Sequence, residues 1–169
     1  MNKVFGITGW KNSGKTTLVA CLVEEFTSRG FVVSTIKHAS ESFQLDLPGT
    51  DTFAHREAGA HEVAIISDKR WAIMHQTLAS NDAPSLDTMI AKLAPCDLVL
   101  VEGFKASSIS KIETIRADAV TERAVWRQNK SVVAVASDTT IKDCQLPTFA
   151  LDDISSIANH IAQKTGLVS

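Results

Sequence analysis

An eight-residue loop, Gly9-Trp10-Lys11-Asn12-Ser13-Gly14-Lys15-Thr16, constrains this chain more than any other feature, because it spells G-x-x-x-x-G-K-[ST]. Its flanks are the ones such a loop needs. Before it, Val4-Phe5-Gly6-Ile7-Thr8 is a short apolar run of the kind that forms a buried parallel strand. After it, Leu18, Leu22 and Phe26 recur every four residues with Val19 and Val23 beside them, and Arg29 and Gly30 close the pattern as a helix end. Phe31 to Ile36 is a second buried strand. Strand, helix and strand within 36 residues predict a βαβ unit with a right-handed crossover. Glycines at both ends of the loop let backbone N–H groups turn inward around phosphate oxygens at a helix N-terminus. Lys15 then sets a positive charge on the β- and γ-phosphates, the Thr16 hydroxyl ligates Mg²⁺, and Thr17 reaches the α-phosphate. The loop therefore predicts a nucleoside triphosphate site built from Gly9, Lys11, Asn12, Ser13, Gly14, Lys15, Thr16 and Thr17.

The rest of the chain continues the α/β alternation. Residues 38–50 are polar and turn-rich and read as a long loop, with Thr50 or Asp51 capping a short helix to Ala58-Gly59. Val63–Ser67 and Trp71–His75 read as an antiparallel hairpin around Asp68-Lys69-Arg70. Ser85 caps a helix through Leu93 that Pro95 stops. Leu98–Val101 is the most hydrophobic strand, Val132–Ala136 is close behind, and Ile112–Arg116 reads as a weaker one. Ala119–Gln128 reads as helical, and Ile154, Ile157, Ala158 and Ile161 mark a last amphipathic helix. The prediction is one domain over residues 1–169: an α/β three-layer sandwich of the P-loop NTPase type, its sheet mainly parallel, with the hairpin near 63–75 as the antiparallel feature.

Composition narrows the class. Seventeen Lys plus Arg against nineteen Asp plus Glu leave a formal charge of −2, which argues against a nucleic-acid coat or a polybasic membrane anchor. With 44% hydrophobic and 21% charged residues, the chain can close a core. No apolar run approaches the length of a membrane span, no cleavable leader is recognisable, and the three cysteines show no metal or redox spacing. A cytoplasmic location is expected.

Asp97-Leu-Val-Leu-Val-Glu102-Gly103 supplies the second half of the site. Ligands of open α/β sheets sit outside the carboxyl ends of the strands, which selects Glu102 over Asp97 as the Walker-B-type acid that holds Mg²⁺ or its water shell. Lys15 and Glu102 are the candidate catalytic residues, and Thr16 and Glu102 the candidate metal ligands. The Gly103 N–H is expected to approach the γ-phosphate. Lys37 and His38 end a strand beside the loop, where they would meet nucleotide or substrate or stand merely solvated, and Asp46 and Asp51 flank Pro48-Gly49 in a long loop, where an acid could complete the magnesium shell or only cap the next helix. Asp138 emerges after Val132–Ala136, where a carboxylate could accept from guanine N1–H and the exocyclic amine, or cap a turn. Lys105 and Lys111 could draw a phosphorylated or pterin-pyrophosphate partner, or be surface lysines with no role. Arg123 and Arg127, with Glu122 adjacent, read as a solvated helix face, and Trp10, Trp71 and Trp126 as packing residues. His55, His61, His75 and His160 lack metal-ligand spacing.

Taken in order, Gly9-Trp10, Ile36-Lys37-His38, Asp46-Leu-Pro-Gly-Thr-Asp51, Arg56-Glu-Ala-Gly-Ala60, Arg70-Trp71-Ala72, Val101-Glu-Gly-Phe-Lys105, Lys111-Ile112 and Ala134-Val-Ala-Ser-Asp138 resemble the molybdopterin-guanine dinucleotide biosynthesis adaptor proteins, the MobB family. The resemblance runs from about residue 4 to 155. It implies a small GTP-binding protein with weak GTPase activity and Mg²⁺ as its metal. It further implies a homodimer that assists the guanylyltransferase and the molybdenum-insertion proteins that finish the molybdenum cofactor. Related GTPases and ATPases often carry a lysine directly after the first loop glycine; here Trp10 stands there and Lys11 comes one position later. Two other readings share the loop: a small-molecule kinase, which would need a catalytic base and a lid, and a dimeric scaffold that nucleotide merely stabilises.

Overall fold

Leu98-Val99-Leu100-Val101 is apolar at every position, and the period-2 geometry of a strand sends alternate residues to opposite faces of a sheet, so both faces must be covered. In the computed structural model, which describes residues 3–39, 43, 45–77, 83–119 and 124–167, both are. Six strands lie in one all-parallel sheet: β1 (Lys3–Gly9), β2 (Val33–Lys37), β5 (Leu98–Glu102), β6 (Lys111–Ile115), β7 (Val132–Ser137) and β8 (Thr148–Ala150), in the order β2-β5-β1-β6-β7-β8. Leu98 and Leu100 join Phe5, Ile7, Ile112, Ala134 and Ala136 under α1 (Lys15–Ser28) and α4 (Ile154–Thr165). Val99 and Val101 join Ile36 under α3 (Leu86–Lys92), which contributes Leu86, Met89 and Ile90. Helix, sheet and helix make the three layers.

The chain forms two compact units, Met1–His38 with Leu86–Ser169, and Ala39–Ser85. The second unit holds α2 (Asp51–Glu57) and an antiparallel pair, β3 (Glu62–Ile66) and β4 (Trp71–His75), registered with Val63 opposite Met74 and Ile66 opposite Trp71. Thr50 rather than Asp51 is the N-cap of α2, its hydroxyl accepting from the Phe53 amide. No described helix is long and apolar enough to cross a membrane.

Three local expectations need correction. The strand expected to be weak, near Ile112–Arg116, is β6; it is buried along its whole length between β1 and β7. Its Lys111, Glu113 and Thr114 read as polar, yet each is buried with a partner inside the protein. Within the expected helix Ala119–Gln128, the described residues show Ala124 extended and a single 3₁₀ turn, Val125–Arg127. The Glu113 carboxylate accepts from the amides of Val125 and Trp126 at 2.8 and 2.7 Å, satisfying from β6 the first amides of that turn. Residues 120–123, including Glu122 and Arg123, lie outside the described residues. Trp71, expected to pack, is 70% exposed. The three-residue edge strand β8 has no counterpart in the sequence reading; a run that short carries no periodic signal.

Candidate functional site

The glycine-rich loop joins the carboxyl end of β1 to α1, and its turn is set by left-handed backbone at Asn12 (φ 62°) and Gly14 (φ 90°). Gly9 is required by space as well as conformation: a Cβ there would lie 2.5 Å from Ser13 Oγ and 2.6 Å from the Thr114 carbonyl oxygen. Ser13 is buried and its Oγ lies 2.7 Å from Thr114 Oγ1. The Thr114 hydroxyl donates its one hydrogen to the Thr8 carbonyl, so Ser13 is the donor in that pair. This two-hydroxyl latch ties the loop to β6, and Thr114 is a site residue that the sequence reading missed. Gly14 occupies the N-cap of α1 without a side-chain acceptor, so no cap competes for the first helical amides.

Lys15 arches back to donate to the Trp10 carbonyl at 2.6 Å. Burial pushes its pKa down; the Glu102 carboxylate pulls it up, and Lys105 and Lys37 push it down. Glu102, at the carboxyl end of β5, is 7% exposed. Its Oε1 accepts from the Thr16 hydroxyl at 2.9 Å and pairs with Lys37 Nζ at 3.3 Å, while Lys37 Nζ stands 3.4 Å from Thr16 Oγ1. A buried carboxylate, a hydroxyl and a cation thus converge at the mouth of the loop, and the carboxylate and hydroxyl oxygens are the donors that hard divalent ions take. Asp97, at the other end of β5, accepts from the Val32 amide at 2.7 Å and is structural.

Other candidates separate into positions of different kinds. The Gly103 amide, expected to face the γ-phosphate, donates to the Ile7 carbonyl at 2.9 Å and is spent on the sheet. His38 donates its amide to the Glu102 carbonyl, and its ring lies 4.6 Å from that of Phe104. Lys11, Asn12, Thr16 and Thr17 lie along the loop and first turn, all four exposed. Lys105 Nζ sits 3.6 Å above the Trp10 ring, close enough for its charge to act on Lys15. Lys111 is fully buried; its Nζ donates to the carbonyls of Phe104, Lys105 and Ser107 and to the Ser107 hydroxyl. It therefore organises the turn after Glu102 and is not available to draw a phosphorylated partner. Asp138 Oδ1 accepts from the Ala117 amide at 2.8 Å, and its Oδ2 faces Arg116 Nε at 4.0 Å. Asp46 and Asp51 belong to the second unit; the Asp46 carboxylate accepts from Arg56 Nε at 3.3 Å, and Asp51 is the first residue of α2.

The family model for "Molybdopterin guanine dinucleotide synthesis protein B" matches residues 4–138, from the first strand through Asp138. The chain belongs to the MobB family. Among MobB relatives, the molybdopterin-guanine dinucleotide biosynthesis adapter protein of Escherichia coli K12 is 30% identical over 165 residues, covering 96% of this chain and 93% of that one. Its counterpart in Haemophilus influenzae is 43% identical over 111 residues, covering 64% and 61%. The crystal structure of Bacillus subtilis MobB shares the fold at a TM-score of 0.74 and 22% identity, covering 96% of this chain and 98% of that one.

Proposed function

We propose that this MobB-family chain is a GTP-binding adaptor of molybdopterin-guanine dinucleotide biosynthesis that hydrolyses GTP weakly. The observation that carries the reading is the convergence of Lys15, Thr16, Glu102 and Lys37 at the glycine-rich loop. Thr16 and Glu102 fit Mg²⁺, which when bound would neutralise phosphate charge and bridge it to the protein. Lys15, half-buried, exchanges the Trp10 carbonyl for phosphate oxygens. Asp138 is the side chain we assign to reading the guanine edge. Slow hydrolysis follows from the absence of any recognisable glutamine or arginine finger in the sequence, since a finger alone is worth roughly 10³–10⁵ in rate. Names borne by the relatives, together with the family resemblance, support cytoplasmic partners of one kind: the guanylyltransferase and the molybdenum-insertion proteins of cofactor assembly. A homodimer is part of the proposal, and nucleic acid and membrane are not.

Calorimetry with Lys15→Ala tests it. Removing a shielded charged contact to phosphate costs on the order of 2–5 kcal/mol, more than tenfold in affinity. The variant should fold, because the Lys15 ammonium meets a loop carbonyl rather than the core. Unchanged GTP affinity would remove the loop from the site.

A further inference from the structure

The Thr16–Glu102–Lys37 cluster lies on the β5 and β2 side of the glycine-rich loop, so in the nucleotide reading a triphosphate bound there would turn its metal-bearing end to that side. The sheet order places β6 and β7 on the other side of β1. The nucleoside end of the ligand therefore leaves the loop over the start of α1, toward the carboxyl ends of β6 and β7. Arg116 stands there, directly after β6. A Cβ at Gly14 would lie 3.5 Å from Arg116 Nε and 3.9 Å from its Cδ, so the side chain runs alongside the first turn of α1. Leu151 Cδ2 lies 3.9 Å from the same point, giving this flank an apolar component. Asp138, itself fixed by the Ala117 amide, faces Arg116 Nε with its second oxygen, and the arginine side chain remains 46% exposed. The phosphate end already has its cations in Lys15, Lys37 and Lys105. A planar, permanently charged group, steadied along one edge and open on a face, suits the π-face of a nucleobase better than another phosphate oxygen.

We propose that Arg116 is a base-stacking residue of the nucleotide site, its guanidinium lying against the purine face and aligned by Asp138. The proposal rests on the nucleotide reading above. Stacking is blind to the donors and acceptors on the base edge, so Arg116 supplies affinity to any purine nucleotide and leaves guanine selectivity to other groups.

The experiment is calorimetric titration of wild type, Arg116→Ala and Arg116→Lys with the magnesium complexes of GTP, ATP and inorganic tripolyphosphate. Arg116→Ala should weaken GTP and ATP by the same roughly three- to thirty-fold factor and leave tripolyphosphate unchanged. Arg116→Lys should recover little, because an ammonium keeps the charge and loses the plane. Unchanged GTP affinity in Arg116→Ala overturns the proposal. So does an equal loss for tripolyphosphate, which would mean a phosphate contact or a distorted loop. A wild-type protein that binds neither nucleotide nor tripolyphosphate would instead overturn the nucleotide reading, a result distinct from both.

Discussion

The two carboxylate oxygens of Asp138 have different neighbours, and that asymmetry sharpens what a single substitution should do. Oδ1 is held by the Ala117 amide at 2.8 Å, whereas Oδ2 turns to the half-exposed side where Arg116 stands. In Asp138→Asn the amide oxygen keeps the Ala117 N–H, because the alternative would set two donors against each other. The new NH₂ then points outward in place of an acceptor. Guanine offers N1–H and an exocyclic amine and would lose its partner, while the C2 oxygen of xanthine would gain a donor. A charge-assisted hydrogen bond of this kind is worth about 1.5–3 kcal/mol, so GTP should weaken by roughly ten- to a hundredfold and xanthosine triphosphate should strengthen. Competition binding of the two nucleotides measures the ratio. If it stays at the wild-type value, Asp138 does not read the base.

At the scale of elements, legibility follows how far each segment's own chemistry determines its environment. β5 was legible because four apolar residues in a row admit only a strand covered on both faces. The loop and α1 were legible because motif, glycines and helical stripe are contiguous. β6 was legible as a strand but not as a buried one, since its polar Lys111, Glu113 and Thr114 read as surface residues and the partners of Glu113 and Thr114 lie 12 and 106 residues away. For the same reason the Ser13–Thr114 latch, 101 residues apart, could not be read, and neither could the loss of the Gly103 amide to β1. The packing of α4 yields a second test. His160 has its ring 5.3 Å from that of Phe149 in β8, and its buried Nε2 has no partner among the described residues. Burial first, and Lys164 second, push its pKa below the ordinary value. A base with a depressed native pKa takes up protons more readily once unfolded. Its contribution to stability is thus present above about pH 6.5, the unfolded value, and is lost as pH falls through the native pKa. His160→Leu should fall less in Tm between pH 7.5 and 5.5 than wild type does, by thermal unfolding across that range. Parallel profiles would exclude this histidine as a source of acid sensitivity.

For the whole molecule, the second unit poses the question of what covers its hairpin. Cross-strand pairing puts Ile66 with Trp71 and Ala64 with Ile73 on one face of the β3–β4 pair, and Val63 with Met74 on the other. Val63 is buried, yet Ile66 is 82% exposed, Trp71 70% and Ile73 57%. A two-stranded sheet is marginal in water by itself, and a bare face of three large apolar side chains is what an association surface looks like before association. The proposed homodimer supplies a cover: an isologous contact would set each face against its copy and bury Ile66, Trp71 and Ile73 twice over. Each such side chain is worth about 1.5–3 kcal/mol when removed from water. Ile66→Lys with Trp71→Ser should therefore raise the dimer dissociation constant by well over tenfold, read by sedimentation equilibrium, and leave GTP affinity as it was, because neither residue belongs to the glycine-rich loop. Loss of GTP binding without dissociation would point to misfolding of the second unit. A dimer of wild-type strength would mean that some other surface holds the two copies together, and the bare face would then belong to a different partner.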